Sequence, residues 1–261
     1  MNYSFAKKFI WLLLIFCLGK SLSCFANTTR NLTIYSEPNL AIALTKIARL
    51  YSQNFPVNVA VNFNSSFDFI NEIDSGEPAD IFISAHPTWV ETLKQKGLID
   101  VYNIGYIAND QLVVVAKNNN KLINEKLSKK NLKIEQALAI LDEMKVNLII
   151  DHDGSASGFF AKEFLQNLNL ENIVIFTKLQ EDKNSLARDL ISDDNSFALM
   201  LESQVRNNKN LQIIARKIDN NIFYRALVIA GDNMEVAREF LKFLKTSNAQ
   251  KILKDNSFII N

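Results

Sequence analysis

Residues 75–86 read SGEPADIFISAH. Asp80 stands at the mouth of an apolar run, Ile81-Phe82-Ile83, that ends in small residues. A carboxylate in that place is a catalytic acid, a metal ligand or a structural pin, and the choice decides whether the chain reads as an enzyme. Around it, short β-like runs alternate with helix-like segments almost throughout. LTIY (32–35) precedes LAIALTKIARLYSQ, in which Leu40, Leu44, Ile47 and Tyr51 share one helical face. VNVAVNF (57–63) precedes FDFINEIDSG, with Phe67, Ile70 and Ile73 on one face. After DIFISA, Pro87 suits a first helical turn and Gly97 a helix end. QLVVVAK (111–117) is the continuous apolar run expected of a strand buried on both faces. Strands at VNLIID, IVIFT, FALML, LQIIAR and FYRALVIAG interleave with helices at KIEQALAILDEM, GFFAKEFLQNL and SLARDLI, and one long helix from Val236 to Lys254 closes the chain. This alternation predicts an α/β fold with mostly parallel sheets flanked by helices.

The first 26 residues stand apart from that pattern. Lys7 and Lys8 precede an apolar run of eleven residues from Phe9 to Gly19, and SLSCFA ends in the small residue Ala26. Positive, apolar and small in that order is the pattern of a secretory signal peptide, and cleavage after about Ala26 is expected. The run is shorter than the roughly 20 residues that a membrane-spanning helix needs. Removing residues 1–26 takes both cysteines, Cys17 and Cys24, so the mature chain holds no disulfide and no thiolate. It also takes three of the 29 basic residues and no acid, leaving 26 against 28 and a net charge of −2. That balance, with no basic stripe, argues against a nucleic-acid partner. An exported globular chain held together by its core is expected.

Short hydroxyl or amide side chains precede four helices: Asn39, Ser65-Ser66, Ser155 and Ser157 in DGSASG, and Asn184-Ser185. Each is fully explained as a helix cap, worth about 1 kcal/mol. In open α/β sheets, however, ligands bind beyond the carboxyl ends of the strands, where these turns lie. Helix starts offer unpaired amides and partial positive charge, and several converging on one point hold an anion without lysine or arginine. Neutral donors suit a fully ionised oxyanion such as molybdate or sulfate. A carboxylate at the same point would repel it and select a protonated anion such as hydrogen phosphate.

GEPADIFISA (76–85) resembles the glycine-x-proline-alanine-aspartate-apolar-phenylalanine motif of the periplasmic molybdate-binding proteins of ABC importers. LTIYSEPNLAIAL, NFNSSFDFINEIDSGEPAD, NDQLVVVAK and DGSASGFFAKEFLQNL extend the resemblance over nearly the whole mature chain. The resemblance implies a two-lobed periplasmic binding protein, type II-like, with the ligand cleft between lobes. Residues 27–108 with 228–261 would form lobe I and 109–227 lobe II, with two crossing strands as hinge. It implies no enzyme and no cofactor, molybdate or tungstate as the transported oxyanion, a monomer in the periplasm, and an ABC permease as partner. The family's oxyanion ligands fall on Asn39, Ser66, Ser157 and Ser185, and its tyrosine falls near Leu201, whose side chain donates nothing. Asn39 and Leu201 depart from the family pattern, so a different small anion or polar solute on the same fold is the alternative. Asp80 belongs to the motif but not to the ligand set, and is expected to pin the turn before its strand through backbone amides.

Two histidines carry the enzyme readings. DHDGSASG (151–158) sets His152 between carboxylates and near serines, as a hydrolase would. A nucleophile elbow needs Gly-x-Ser-x-Gly, and the central residue here is Ala156. The Asp151-x-Asp153 start of a calcium loop lacks its later acidic ligand, and the histidines form no helical zinc pair. His86 reads as a surface residue at a helix start.

Overall fold

The computed structural model describes residues 29–123, 125–129, 132–176, 190–206, 208–217 and 222–260. Residues 1–26, read as a signal peptide, and Ser185 lie outside the described residues. One sheet is built from β1 (Arg30–Ser36), β2 (Val57–Phe63), β3 (Ile81–Ser84), β4 (Ile99–Asp110) and β10 (Ile222–Ile229), in the spatial order β2-β1-β3-β10-β4. The other holds β5 (Leu112–Lys117), β6 (Asn147–Ile150), β7 (Val174–Phe176), β8 (Ser196–Leu201) and β9 (Leu211–Arg216), in the order β7-β6-β8-β5-β9. A single residue, Gln111, separates β4 in the first sheet from β5 in the second. All of β10 pairs in the first sheet, so the boundary read at residue 228 cuts through one strand.

Both sheets are covered on two faces, which is why their strands read as apolar runs rather than alternating ones. In β3, Ile81 and Ile83 enter one core cluster while Phe82 points into another. In β5, Leu112, Val114 and Ala116 face one way and Val113 and Val115 the other, the period of two that a pleated strand imposes. Helices α1 (Ala41–Asn54), α2 (Ser66–Asp74) and α3 (Pro87–Gln95) follow the strands of the first sheet, and α4 (Ile134–Glu143) and α5 (Ala156–Leu168) those of the second. Short α6 (Glu202–Val205) follows β8. One apolar cluster runs through both sheets by way of Ile107, Ala108, Leu112, Leu201 and Tyr224.

Two expectations are corrected. The sheets are mixed rather than mostly parallel: β3 beside β1, and β6 beside β7 and β8, are parallel, but β10 runs against β3 and β4, and β5 against β8 and β9. The cause lies in the connections. The strands that run against their neighbours are the two that enter from the other sheet: β5 comes directly from β4, and β10 comes after β9, so neither is placed by a helical crossover within its own sheet. The closing helix is two, α7 (Met234–Leu244) and α8 (Ser247–Asp255). Thr246 interrupts it: its hydroxyl donates to the Phe243 carbonyl at 2.7 Å and accepts from the Ala249 amide, so it stops one helix and caps the next.

Asp80 is the pin that its position suggested. Its carboxylate accepts from the Thr33 amide at 2.7 Å, its own amide donates to the Thr33 carbonyl, and its carbonyl accepts from Ile229. The turn before β3 is thereby tied to β1 and β10 at once.

Candidate functional site

The carboxyl ends of β1 and β3 lie side by side because these strands pair in parallel. Glu37 follows the last residue of β1, and Ser84 is the last residue of β3. Ser65 caps α2 by accepting from the Asp68 amide, which sets Ser66 in the first turn, fully buried. These three side chains form a cluster. Ser66 Oγ donates to Glu37 Oε1 at 2.7 Å, Ser84 Oγ lies 2.6 Å from the same oxygen, and the two hydroxyls are 2.9 Å apart. Ser84 Oγ also accepts from the His86 amide. Glu37 is only 6% exposed. Burial raises its pKa, while the hydroxyls of Ser84 and Ser66 and the Ala85 amide oppose that rise and Asp151 adds to it.

A second buried cluster bridges the sheets. Asn39 Nδ2 donates to Ser203 Oγ at 2.8 Å and to the Tyr224 hydroxyl. Ser203 belongs to α6 beside the second sheet, and Tyr224 to β10 in the first. Asp110, the last residue of β4, accepts at Oδ1 from the amides of Gln111 and Ser203. Burial pushes its pKa up to about 7. The phenol of Tyr224 is raised well above its usual range by burial, and then by the charges of Asp110 and Glu37. Asn39 Oδ1 and Asp110 Oδ2 are buried and receive no hydrogen bond from the protein.

On the second sheet, Ser157 Oγ donates to Gln204 Oε1 at 2.8 Å, and the same oxygen accepts from the Leu201 amide. Leu201 itself is buried apolar core. Ser155 donates to the His152 carbonyl and accepts from the Gly158 amide, so its hydroxyl caps α5 rather than meeting the imidazole. The loop lies so tightly on the helix that a Cβ at Gly158 would come within 2.1 Å of the His152 carbonyl oxygen. His86 is buried, not a surface residue. Its ring sits 4.6 Å from that of Phe159, and Nε2 is 3.0 Å from the Asp153 carbonyl. Trp89 Nε1 donates to the Gly154 carbonyl at 3.0 Å, so two aromatic side chains from the start of α3 hold the loop ahead of α5. Among the described residues, no group of three or more His, Cys, Asp or Glu is placed to hold a metal ion, and no helix is long and apolar enough to cross a membrane.

A model of the bacterial extracellular solute-binding proteins matches residues 32–259. The chain belongs to that family. This solute-binding protein is 26% identical over 238 residues to the molybdate-binding protein ModA of Escherichia coli, covering 88% of this chain and 89% of that one. Its fold matches the periplasmic molybdate-binding protein of Azotobacter vinelandii with a TM-score of 0.64 at 16% identity, covering 88% of this chain and 99% of the other. It matches the tungstate ABC transporter structure from Geobacter sulfurreducens with a TM-score of 0.68 at 12% identity, covering 86% and 98%. The solute-binding protein is thus a two-lobed α/β receptor and not an enzyme, and the hydrolase reading around His152 falls with that. Of the expected ligand residues, Asn39, Ser66 and Ser157 all sit at helix starts with their donors engaged on Ser203 and Tyr224, on Glu37, and on Gln204. Glu37, Ser84, Tyr224, Ser203 and Asp110 were not singled out from the sequence. Glu37 carried a usable signal, a carboxylate directly after an apolar strand and two residues before Asn39.

Proposed function

We propose that this solute-binding protein captures a tetrahedral oxyanion in the periplasm, after loss of residues 1–26, and delivers it as a monomer to an ABC permease. The two sheets are the two lobes in this reading, with β4 and β10 carrying the chain between them. Molybdate and tungstate are the first ligands to test, because relatives spanning most of the chain bear those names. The observation that carries the reading is Ser66, a fully buried hydroxyl in the first turn of α2, at the carboxyl edge of the first sheet. Ser157 in the first turn of α5 supplies the counterpart from the other lobe, and Ser185 a further donor. A second reading, a different small anion or polar solute, is favoured by Leu201, an apolar core side chain where the family pattern has a hydroxyl.

The test is a thermal-shift titration of residues 27–261 with molybdate, tungstate, sulfate, phosphate and chromate, followed by calorimetry. Ligand that binds only the folded chain raises the melting temperature saturably. Ser66→Ala is expected to weaken the bound anion by about tenfold, the loss of one hydrogen bond. Undiminished binding by that variant would take Ser66 out of the site.

A further inference from the structure

Glu37 is a residue that a plain oxyanion receptor would not contain. Its carboxyl oxygen takes the hydroxyls of both Ser66 and Ser84, and the Ala85 amide bonds the same group. Every one of these partners is neutral. Among the described residues, no lysine, arginine or histidine pairs with Glu37, and the one charge that bears on it is Asp151, which is negative. Tyr224, which feels the field of Glu37, feels that of Asp110 as well.

Ser66 is also the hydroxyl on which the oxyanion reading rests. Its Oγ lies 2.7 Å from Glu37 Oε1. A ligand oxygen bonded to Ser66 at about 2.8 Å therefore comes within roughly 5.5 Å of the carboxylate. Two negative groups that close, in a dry site without a cation, repel strongly. Because the single hydrogen of Ser66 is already given to Glu37, Ser66 Oγ can only accept toward the ligand, and a ligand hydroxyl donating to it replaces the repulsion with a hydrogen bond. The second cluster points the same way. Around Asn39 and Asp110 the buried atoms without a partner are Asn39 Oδ1, an acceptor, and Asp110 Oδ2, an acceptor once Asp110 has lost its proton above about pH 7, while the donor of Asn39 is already engaged. Such a site has acceptors to offer a ligand that brings its own donor.

We propose that Glu37 makes the site bind a tetrahedral oxyanion together with one proton, so that anions carrying an acidic hydroxyl at neutral pH, such as hydrogen phosphate and hydrogen arsenate, are taken in preference to sulfate, molybdate and tungstate. The proton stays on the ligand oxygen, which donates to Ser66 Oγ, and Ser66 in turn donates to Glu37. No bond is made or broken. This inference rests on the oxyanion reading above and sharpens its ligand class. A site that accepts from a ligand hydroxyl rejects the analogue lacking it, because its own acceptor is then left buried and unpaired.

Calorimetric titration of the wild type and of Glu37→Gln at about pH 7.5, with phosphate, arsenate, sulfate, molybdate and tungstate, tests it. Wild type should hold phosphate and arsenate at least about tenfold tighter than the other three, a single buried hydrogen bond's worth. Glu37→Gln, which puts a neutral amide in the carboxylate's place, should reverse that order. If Glu37→Gln fails to fold, the wild-type ranking still decides, together with titrations in two buffers of different ionisation heat. These should show one proton taken up with each sulfate or molybdate, and none would overturn the proposal. Molybdate or tungstate bound most tightly by the wild type without proton uptake would sink the proposal and leave the oxyanion reading standing. A preference for phosphate that Glu37→Gln leaves unchanged would remove Glu37 from the explanation. Failure of all five anions to bind either protein would end both.

Discussion

Glu37 and Asn39 are two residues apart, yet they anchor buried polar clusters of opposite character. The Glu37 cluster stays within the first sheet's side of the molecule, and its carboxyl oxygen is met by two hydroxyls. The Asn39 cluster spans both sheets through Ser203 and Tyr224, and it leaves Asn39 Oδ1 and Asp110 Oδ2 without partners. Unpaired oxygens lie where a cluster crosses between the sheets, and paired ones where it stays beside one sheet. In the two-lobed reading proposed above, the Asn39 cluster is the joint between the lobes and the Glu37 cluster the floor of one of them.

That contrast can be broken by mutation, and the largest effect belongs to Asp110. The folded chain holds a proton on Asp110 up to about pH 7, whereas an unfolded aspartate releases it near pH 4. Between those limits the folded form binds more protons, so this residue's contribution is favourable at the acid end and is lost as pH rises through the window. Asp110→Asn keeps an acceptor for the amides of Gln111 and Ser203 and removes the charge. It is expected to flatten the pH dependence and to raise stability at pH 8 by up to about 4 kcal/mol, measured by denaturant unfolding at pH 5 and pH 8. An unchanged slope would mean that the joint carries no trapped charge.

Ser84→Ala should come next, with about 3 kcal/mol lost, because it strips a bond from the Glu37 carboxylate and an acceptor from the His86 amide in one step. A loss below about 1 kcal/mol would show the floor to be as loosely paired as the joint. Tyr224→Phe removes one acceptor of Asn39 while Ser203 remains, so about 1–2 kcal/mol is expected. Asp80→Asn, remote from both clusters, loses a charge-assisted bond to the Thr33 amide and keeps a neutral one. Its cost is about 1 kcal/mol with anion affinity unaltered, and lost affinity at full stability would make Asp80 part of the site.

The fold was legible in the sequence because local rules govern it. QLVVVAK could only be a strand covered on both faces, and Pro87 and Gly97 bracket a helix at Pro87–Gln95 as their backbone preferences require. Strand direction was less legible, since it depends on which sheet a strand enters after leaving another. The break at Thr246 was missed because the apolar period continues across it: Phe240, Leu244, Ala249 and Leu253 are all buried. The site was half legible. Ser66 and Ser157 announced themselves as helix starts, but what their hydroxyls bond depends on Glu37 and Gln204, 29 and 47 residues away. Ser155 fooled the eye toward His152 because neighbours in sequence need not aim at each other: its hydroxyl bonds the main chain.

The far end of the chain offers a handle on the joint. Ile259 and Asn109 exchange both backbone bonds at 2.8 Å, one residue before Asp110 and two before Gln111. The C-terminal tail is therefore clipped onto the strand that leads into the crossing. A dye or spin label carried on that tail would report strain in the crossing optically or magnetically, without touching Glu37, Ser66 or Ser157. For the same reason a bulky purification tag belongs elsewhere, since pulling the clip open would disturb the strand that leads into the crossing.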